Sequence, residues 1–326
     1  MQSRSEPMDE LKPPIFLVGN VRSGTSMTRD FFGMHPEVCT WNEPRTVWCY
    51  ADPARKHDRF TAEDARPRVI KYIRHRFLKY QRAHGNLRVM EKTPANVLRI
   101  PYIRAIFPEA KLVYIIREPL ANISSSELKW RPAINLKHLW DRVKETPKTQ
   151  LHHYGGRVFV DHFRKRVLKQ QHVSIWGVRY PGVYEDLKKM SIEEVIAKQW
   201  SEASRIANED LDRLDPGLVY RVRYEDLVTN PVPIFTEILE HFDLEMTPEL
   251  QRALEEKVDP NRRNKWRRFK PEVIKRVLPI IESEMKRHGY EPPADLDELA
   301  ARADANGEVD APPAETGEPV APRTAG

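Results

Sequence analysis

Cysteine is nearly absent. Cys39 and Cys49 are the only two in 326 residues, too few for a disulfide framework or a cysteine-based zinc site. No apolar run approaches the roughly 20 residues that a helix needs to cross a bilayer. The opening segment, MQSRSEPMDELK, lacks the apolar stretch of a secretory signal. These absences predict a soluble protein in a reducing, cytoplasmic setting, with no membrane span. No internal repeat is visible, which excludes solenoids and propellers. His152, His153 and His162 lack the carboxylate or third-ligand spacing of a zinc site, so no metal is expected.

Charge, by contrast, is abundant and uneven. The formal net charge is +6. Residues 291–326 contain nine acids and two bases, so they carry −7 and leave +13 on residues 1–290. That tail is rich in Ala, Pro and Gly and has no aromatic residue, which predicts disorder. The basic body points to an anionic ligand, substrate or polymer. The division expected is a flexible N-terminus (1–12), one α/β domain (13–290) and the disordered tail (291–326).

Short β-rich runs alternate with helical patterns, the signature of a parallel sheet flanked by helices. Strands are expected at Ile15–Val18, Glu37–Trp41, Leu87–Glu91, Lys111–Ile116 and Val219–Arg223. Helices are expected at Thr25–Met34, Ala62–Arg82, Val97–Phe107, Pro119–Lys129, Ile192–Leu211, Pro231–Phe242 and Pro271–His288. Thr61 with Asp64 has the form of a capping box, and Asn230-Pro231 that of an N-cap before a first-turn proline. Residues 130–190 break this rhythm and read as an insertion over the open sheet edge. In such sheets ligands bind beyond the carboxyl ends of the strands, near residues 19–26, 42–45, 91–94 and 117–126.

The first strand runs into Gly19-Asn20-Val21-Arg22-Ser23-Gly24-Thr25-Ser26 and then a helix. A strand, a glycine-bounded loop and a helix N-terminus cradle phosphate with backbone N–H groups. The spacing is that of a nucleotide P-loop, except that Thr25 stands where the lysine belongs and the cation is Arg22. The fourth strand ends in Arg117, where a magnesium-dependent enzyme would place an aspartate. Eight residues on, Ser124-Ser125-Ser126 lies in the second turn of the helix opened by Pro119. Arg117 and Ser125 can grip a second phosphate, for which the planar guanidinium fork is suited; an ion pair of Arg117 with Glu118 is the plainer reading.

Together, G-x-x-R-S-G-T-S after one strand and R-x-x-x-x-x-x-x-S after another resemble the sulfotransferases that use 3′-phosphoadenosine 5′-phosphosulfate (PAPS). Other segments are similar to the tyrosylprotein sulfotransferase branch: His35-Pro36-Glu37-Val38 with Asn42-Glu43-Pro44-Arg45, and Glu91-Lys92-Thr93-Pro94. Val222 to Leu227 with Asn230-Pro231, Lys265-Trp266 and His288-Gly289-Tyr290 match further family landmarks. The likeness covers residues 13–128 and 215–292. Lacking the anchor and lumenal cysteine pair of the Golgi branch, the chain has the look of a soluble bacterial-type enzyme.

The resemblance implies a P-loop-like α/β fold and transfer of a sulfuryl group to an acceptor hydroxyl. Arg22, Ser23, Gly24, Thr25 and Ser26 would hold the 5′-phosphosulfate, and Arg117 with Ser125 the 3′-phosphate. Lys92 would stabilise the leaving phosphate, and Tyr224 and Lys265 would complete the nucleotide site. Glu43 would be the general base; the bland reading is a Glu43–Arg45 surface pair. Histidine is the rival base, with His35 expected in a turn and His138, His152 and His153 in the insertion. Trp130, Trp140 and Trp176 suit either packing or an acceptor ring. The run Arg262 to Arg268 reads as a solvated basic face or a loop over the nucleotide, and no nucleic-acid partner is expected. The acceptor, a carbohydrate or small-molecule alcohol, and the oligomeric state are not legible. Two other classes stay open: a kinase-like P-loop phosphotransferase, and a non-catalytic binding protein for an anionic polymer.

Overall fold

The structure is a computed structural model and describes residues 10–130, 175–259 and 269–293. Five parallel strands form its sheet: β1 (Ile15–Gly19), β2 (Val38–Asn42), β3 (Arg88–Lys92), β4 (Lys111–Ile116) and β5 (Val219–Arg223), in the order β2-β3-β1-β4-β5. β1 is central and buried along its whole length, so its apolar run does not alternate with polar residues. Its side chains still divide between the two faces. Phe16 and Val18 pack with Trp48, Phe77 and Phe107 on one face. Ile15 and Leu17 pack with Phe31, Phe32 and Phe235 on the other. β4 repeats the division, sending Leu112 and Tyr114 to the first face and Val113 and Ile115 to the second.

The helices follow this two-sided core. α1 (Thr25–Phe32) covers the second face. α2 (Arg45–Trp48), α3 (Pro67–Ala83), α4 (Ile100–Ile106) and α5 (Pro119–Trp130) belong to the first. After α6 (Val183–Asp186), α7 (Ile192–Leu211) also packs on the first face. α8 (Tyr224–Thr229), α9 (Pro231–His241) and α10 (Pro248–Lys257) cover the second, and α11 (Pro271–Arg287) returns to lie along α7.

Two expectations require correction. The helix expected over Ala62–Arg82 is two elements. Asp64 accepts from the Thr61 backbone N–H at 2.9 Å and closes a single 3-10 turn. Arg66, preceding Pro67, is then extended, as the proline ring demands. The helix expected over Val97–Phe107 starts as a 3-10 turn, Pro94–Leu98, before α4 begins beside Pro101. Directly after β5, Tyr224 opens α8, whose first-turn Glu225 and Asp226 complement the helix dipole. α10 went unforeseen, although Thr247 caps it by accepting from Leu250 N–H and Pro248 starts it. Of the expected insertion, residues 131–174 lie outside the described residues. Its described end packs inward: Gln199 donates to the carbonyls of Trp176 and Val178, and Arg179 pairs with Asp58. The tail beyond residue 293 also lies outside.

Candidate active site

Strand order arranges the candidate residues in one row across the carboxyl edge of the sheet. Glu43 follows β2, Lys92 ends β3, the glycine-bounded loop follows β1, Arg117 follows β4 and Tyr224 follows β5. Register keeps the first members level, with Asn42 opposite Lys92 and Lys92 opposite Leu17.

The loop needs glycine at both ends. At Gly19 a Cβ would stand 2.6 Å from the Ile115 carbonyl of the adjacent strand. Gly24 has φ 89°, and its Cβ would lie 2.4 Å from the Tyr224 ring. Gly24 is also the N-cap of α1, which directs first-turn N–H groups toward the loop. Asn122 of α5 donates to the Val21 carbonyl (2.8 Å) and to Ser23 Oγ (3.1 Å). Asn20 donates to Ser204 Oγ of α7 at 2.9 Å. Ser23 and Thr25 are buried, whereas Ser26 is exposed.

Two guanidinium groups meet at this loop. Arg117 donates to the Arg22 carbonyl at 2.9 Å, and its guanidinium lies 4.5 Å from the centre of the Tyr224 ring. Trp200 Nε1 donates to the Arg117 carbonyl at 3.2 Å. Arg22, itself at φ 64°, donates from Nε to Ser125 Oγ at 2.9 Å. Within the serine triplet, Ser124 and Ser126 are buried and Ser125 faces the loop. Partial burial and the neighbouring Arg117 charge hold Arg22 below its usual range, yet an arginine stays protonated. Glu118 does not pair with Arg117 as the plainer reading supposed. Its carboxylate accepts from Leu120 N–H (2.9 Å) and Ala121 N–H (2.6 Å), capping α5. Burial pushes its pKa up to about 7 against these bonds.

Glu43 and Lys92 form the second centre. Glu43, at φ 53°, donates its backbone N–H to the Lys92 carbonyl at 2.9 Å, while its Oε1 accepts from Lys92 Nζ at 3.0 Å. Oε2 accepts from Arg45 Nη2 at 2.7 Å and Nε at 3.1 Å. The Glu43–Arg45 pair therefore exists, but as half of a three-residue group. Burial of the Glu43 carboxyl opposes ionisation; Arg45 and Lys92 outweigh it and hold the group below the usual carboxylate range. Lys92 is almost fully buried.

Beneath this pair lies a residue that had only been counted within a motif. Glu91 is fully buried and accepts from Trp48 Nε1 (3.1 Å), Asn96 Nδ2 (2.6 Å) and Thr93 Oγ1. It ties the end of β3 to α2, which carries Arg45. Burial pushes Glu91 up to about 7.

Not every candidate joins the row. His35 is buried in a turn, where Nδ1 accepts from Glu37 N–H and Nε2 bonds the Glu245 carbonyl. Lys265, His138, His152, His153 and Trp140 lie outside the described residues. Among the described residues no three His, Cys, Asp or Glu side chains cluster as metal ligands, and no helix is long and apolar enough to cross a membrane. The residues missed from sequence were Asn122, Asn20 and Glu91. A polar side chain within an apolar stretch, as in Leu120-Ala121-Asn122-Ile123, was the available signal for Asn122.

The fold is thus a parallel α/β sheet with a cationic loop at its carboxyl edge. A sulfotransferase family profile matches residues 13–190 and 158–248, and the chain belongs to that family. Its fold is shared by the sulfotransferase domain from the curacin biosynthetic pathway, at 14% identity and TM-score 0.50, covering 87% of this chain and 100% of that one. The sulfotransferase domain of the Synechococcus PCC 7002 olefin synthase is similar at 15% identity and TM-score 0.50, covering 86% and 96%. No curated protein matches the chain by sequence.

Proposed function

We propose that the chain transfers a sulfuryl group from PAPS to an acceptor hydroxyl on a carbohydrate or small-molecule alcohol, with Glu43 as general base. The observation that carries this reading is the pairing of two centres on one sheet edge: a carboxylate beside a buried lysine, and a loop built from donors and guanidinium groups. The loop's donor set fits a bisphosphorylated nucleotide. Arg22, Arg117 and Ser125 supply cations and a hydroxyl, and Gly24 caps α1 with no side-chain hydrogen bond. PAPS, when bound, supplies the activated sulfuryl group.

Arg22 and the loop N–H groups would hold the 5′ end, and Arg117 with Ser125 the 3′-phosphate. Glu43, ionised at neutral pH, would take the hydroxyl proton on a carboxylate oxygen as the nucleophile forms. Lys92 would offer its ammonium to the negative charge that develops on the departing phosphate. Preformed cations in a partly desolvated site contribute to such a reaction chiefly through electrostatics and positioning.

Calorimetric titration with 3′,5′-bisphosphoadenosine tests the nucleotide assignment, with ADP and Mg-ATP as controls. Tight binding that Arg117→Ala abolishes is the expected result. Equal or tighter Mg-ATP binding would overturn it in favour of a phosphotransferase.

A further inference from the structure

From Ala65 to Met90 the chain has eight Lys and Arg residues and no acid. α3 occupies most of this stretch. Its apolar side, Val69, Ile73 and Phe77, is buried in the core. Its outer side carries Arg68, Lys71, His75 and Lys79, all exposed. At 100° per residue, Arg68, His75 and Lys79 fall on one line and Lys71 borders it; Arg68 and Lys79 are about 16 Å apart along the axis.

This row is not neutralised by its surroundings. Among the described residues no carboxylate pairs with Arg68, Lys71 or Lys79, while Glu109 pairs with Arg74 and Asp64 with Arg55. Like charges three or four apart on a helix repel, and a bound polyanion relieves that repulsion.

The row also points toward the candidate active site. In a parallel sheet, the helix preceding β3 has its N-terminus at the carboxyl edge. There Tyr72 stacks on Tyr50, with ring centres 3.7 Å apart and planes 15° apart. Tyr50 lies seven residues after Glu43, in the turn that follows α2. Both rings are partly exposed.

We propose that the outer face of α3 is a docking track for an anionic polysaccharide, which the Tyr50–Tyr72 pair receives at the site end and Arg68, Lys71 and Lys79 hold along the helix. The proposal rests on the sulfotransferase reading above and names the acceptor class for it. Sugar rings offer apolar faces to aromatic side chains and anionic groups to a row of cations, and the track offers both. A membrane surface fits less well, because the apolar side of α3 is spent in the core and no large apolar side chain of α3 is exposed. A row one residue wide suits a single charged chain better than a nucleic-acid duplex.

The test is binding of heparin, as the anionic polysaccharide probe, at about 0.15 M salt and over a salt series, with phosphatidylserine vesicles and duplex DNA alongside. Lys71→Glu/Lys79→Glu is compared with Lys188→Glu/Arg252→Glu, an equal charge change at two exposed residues outside α3. The expected result is at least about a ten-fold loss of heparin affinity in the α3 pair, a salt slope smaller by about two, and under about a two-fold change in the control. Tyr72→Leu should weaken heparin without weakening DNA. Equal losses in the two double variants, or vesicles or DNA binding α3 as tightly as heparin, would overturn the proposal. Titration with 3′,5′-bisphosphoadenosine separates the two readings: both double variants should bind it as wild type does. If wild type does not bind it, the sulfotransferase reading falls, while the heparin result still decides the docking track.

Discussion

Glu43 and Lys92 are joined twice, by an ion pair of 3.0 Å between side chains and by a 2.9 Å hydrogen bond from the Glu43 backbone N–H to the Lys92 carbonyl. The main-chain bond crosses from β2 to β3 and fixes where the carboxylate emerges. The side-chain bond and Arg45 keep it ionised. Replacing Glu43 with Gln keeps the shape and the main-chain bond but removes the proton acceptor. Turnover should fall by about 10²–10⁴, with bisphosphate affinity within about two-fold of wild type. A variant with full turnover would remove Glu43 as the base. Because the carboxyl is held below its usual range, it should stay ionised above that range. Any loss of activity from its protonation belongs below about pH 4.3.

Glu91 should give the protein a measurable pH signature. Its folded-state value of about 7 lies above the usual carboxylate value. The folded protein therefore binds a proton more tightly than the unfolded chain. That contribution is complete below about pH 4.3 and is lost as pH rises through about 7. At about 1.36 kcal/mol for each pH unit separating the folded and unfolded values, it amounts to roughly 4 kcal/mol in all. His288, lowered to about 4 chiefly by burial, acts in the opposite sense over part of this range, so wild-type stability alone will not isolate the effect. Urea unfolding of wild type and Glu91→Gln at pH 5, 6 and 7.5 will. The variant should gain on wild type by roughly 2 to 3 kcal/mol across the series, which spans part of the titration. A constant difference would show that Glu91 does not titrate there.

Much of this arrangement was legible because it is local. Five β-rich runs marked the strands to within a residue, most plainly β1 and β4, since a central parallel strand is apolar almost throughout. Gly19 and Gly24 marked the loop, where a side chain would meet the Ile115 carbonyl at one and the Tyr224 ring at the other. What escaped depends on distant partners. Nothing near Asn20 in sequence announces Ser204, and nothing near Trp48 announces Glu91. The break before Pro67 was legible and was passed over in favour of an amphipathic pattern that continued across it.

Gly24 and Tyr224 are coupled by contact, and a double-mutant cycle should expose it. Gly24→Ala places a methyl group against the Tyr224 ring and a side chain at φ 89°. The left-handed backbone costs about 1–2 kcal/mol and the overlap about 1–3 more. In a Tyr224→Ala background only the backbone cost should remain, giving a coupling of about 1–3 kcal/mol by thermal or urea unfolding. Tyr224→Ala alone also removes the ring from beneath Arg117. Its bisphosphate affinity should fall by the roughly 0.5–2 kcal/mol typical of such a cation–π contact. Additive costs in the cycle would mean that the loop moves away from the ring.

Asn122 tests whether the loop's shape or its charge matters more to anion binding. Its side-chain amide donates to the Val21 carbonyl and to Ser23 Oγ, directly beneath Arg22. Asn122→Ala removes both bonds, each worth about 0.5–1.5 kcal/mol, and should loosen the loop. Asn122→Asp removes the same donors and adds a buried negative charge beside a site built for anions. Bisphosphate affinity should therefore fall further in Asp than in Ala, by at least about ten-fold, since about 1.4 kcal/mol is a factor of ten. The gap should narrow at acidic pH as the new carboxyl is protonated, because burial raises its pKa. Calorimetry on the two variants at pH 5.5 and 8 measures both effects. Equal affinities at pH 8 would mean that the amide matters for geometry alone.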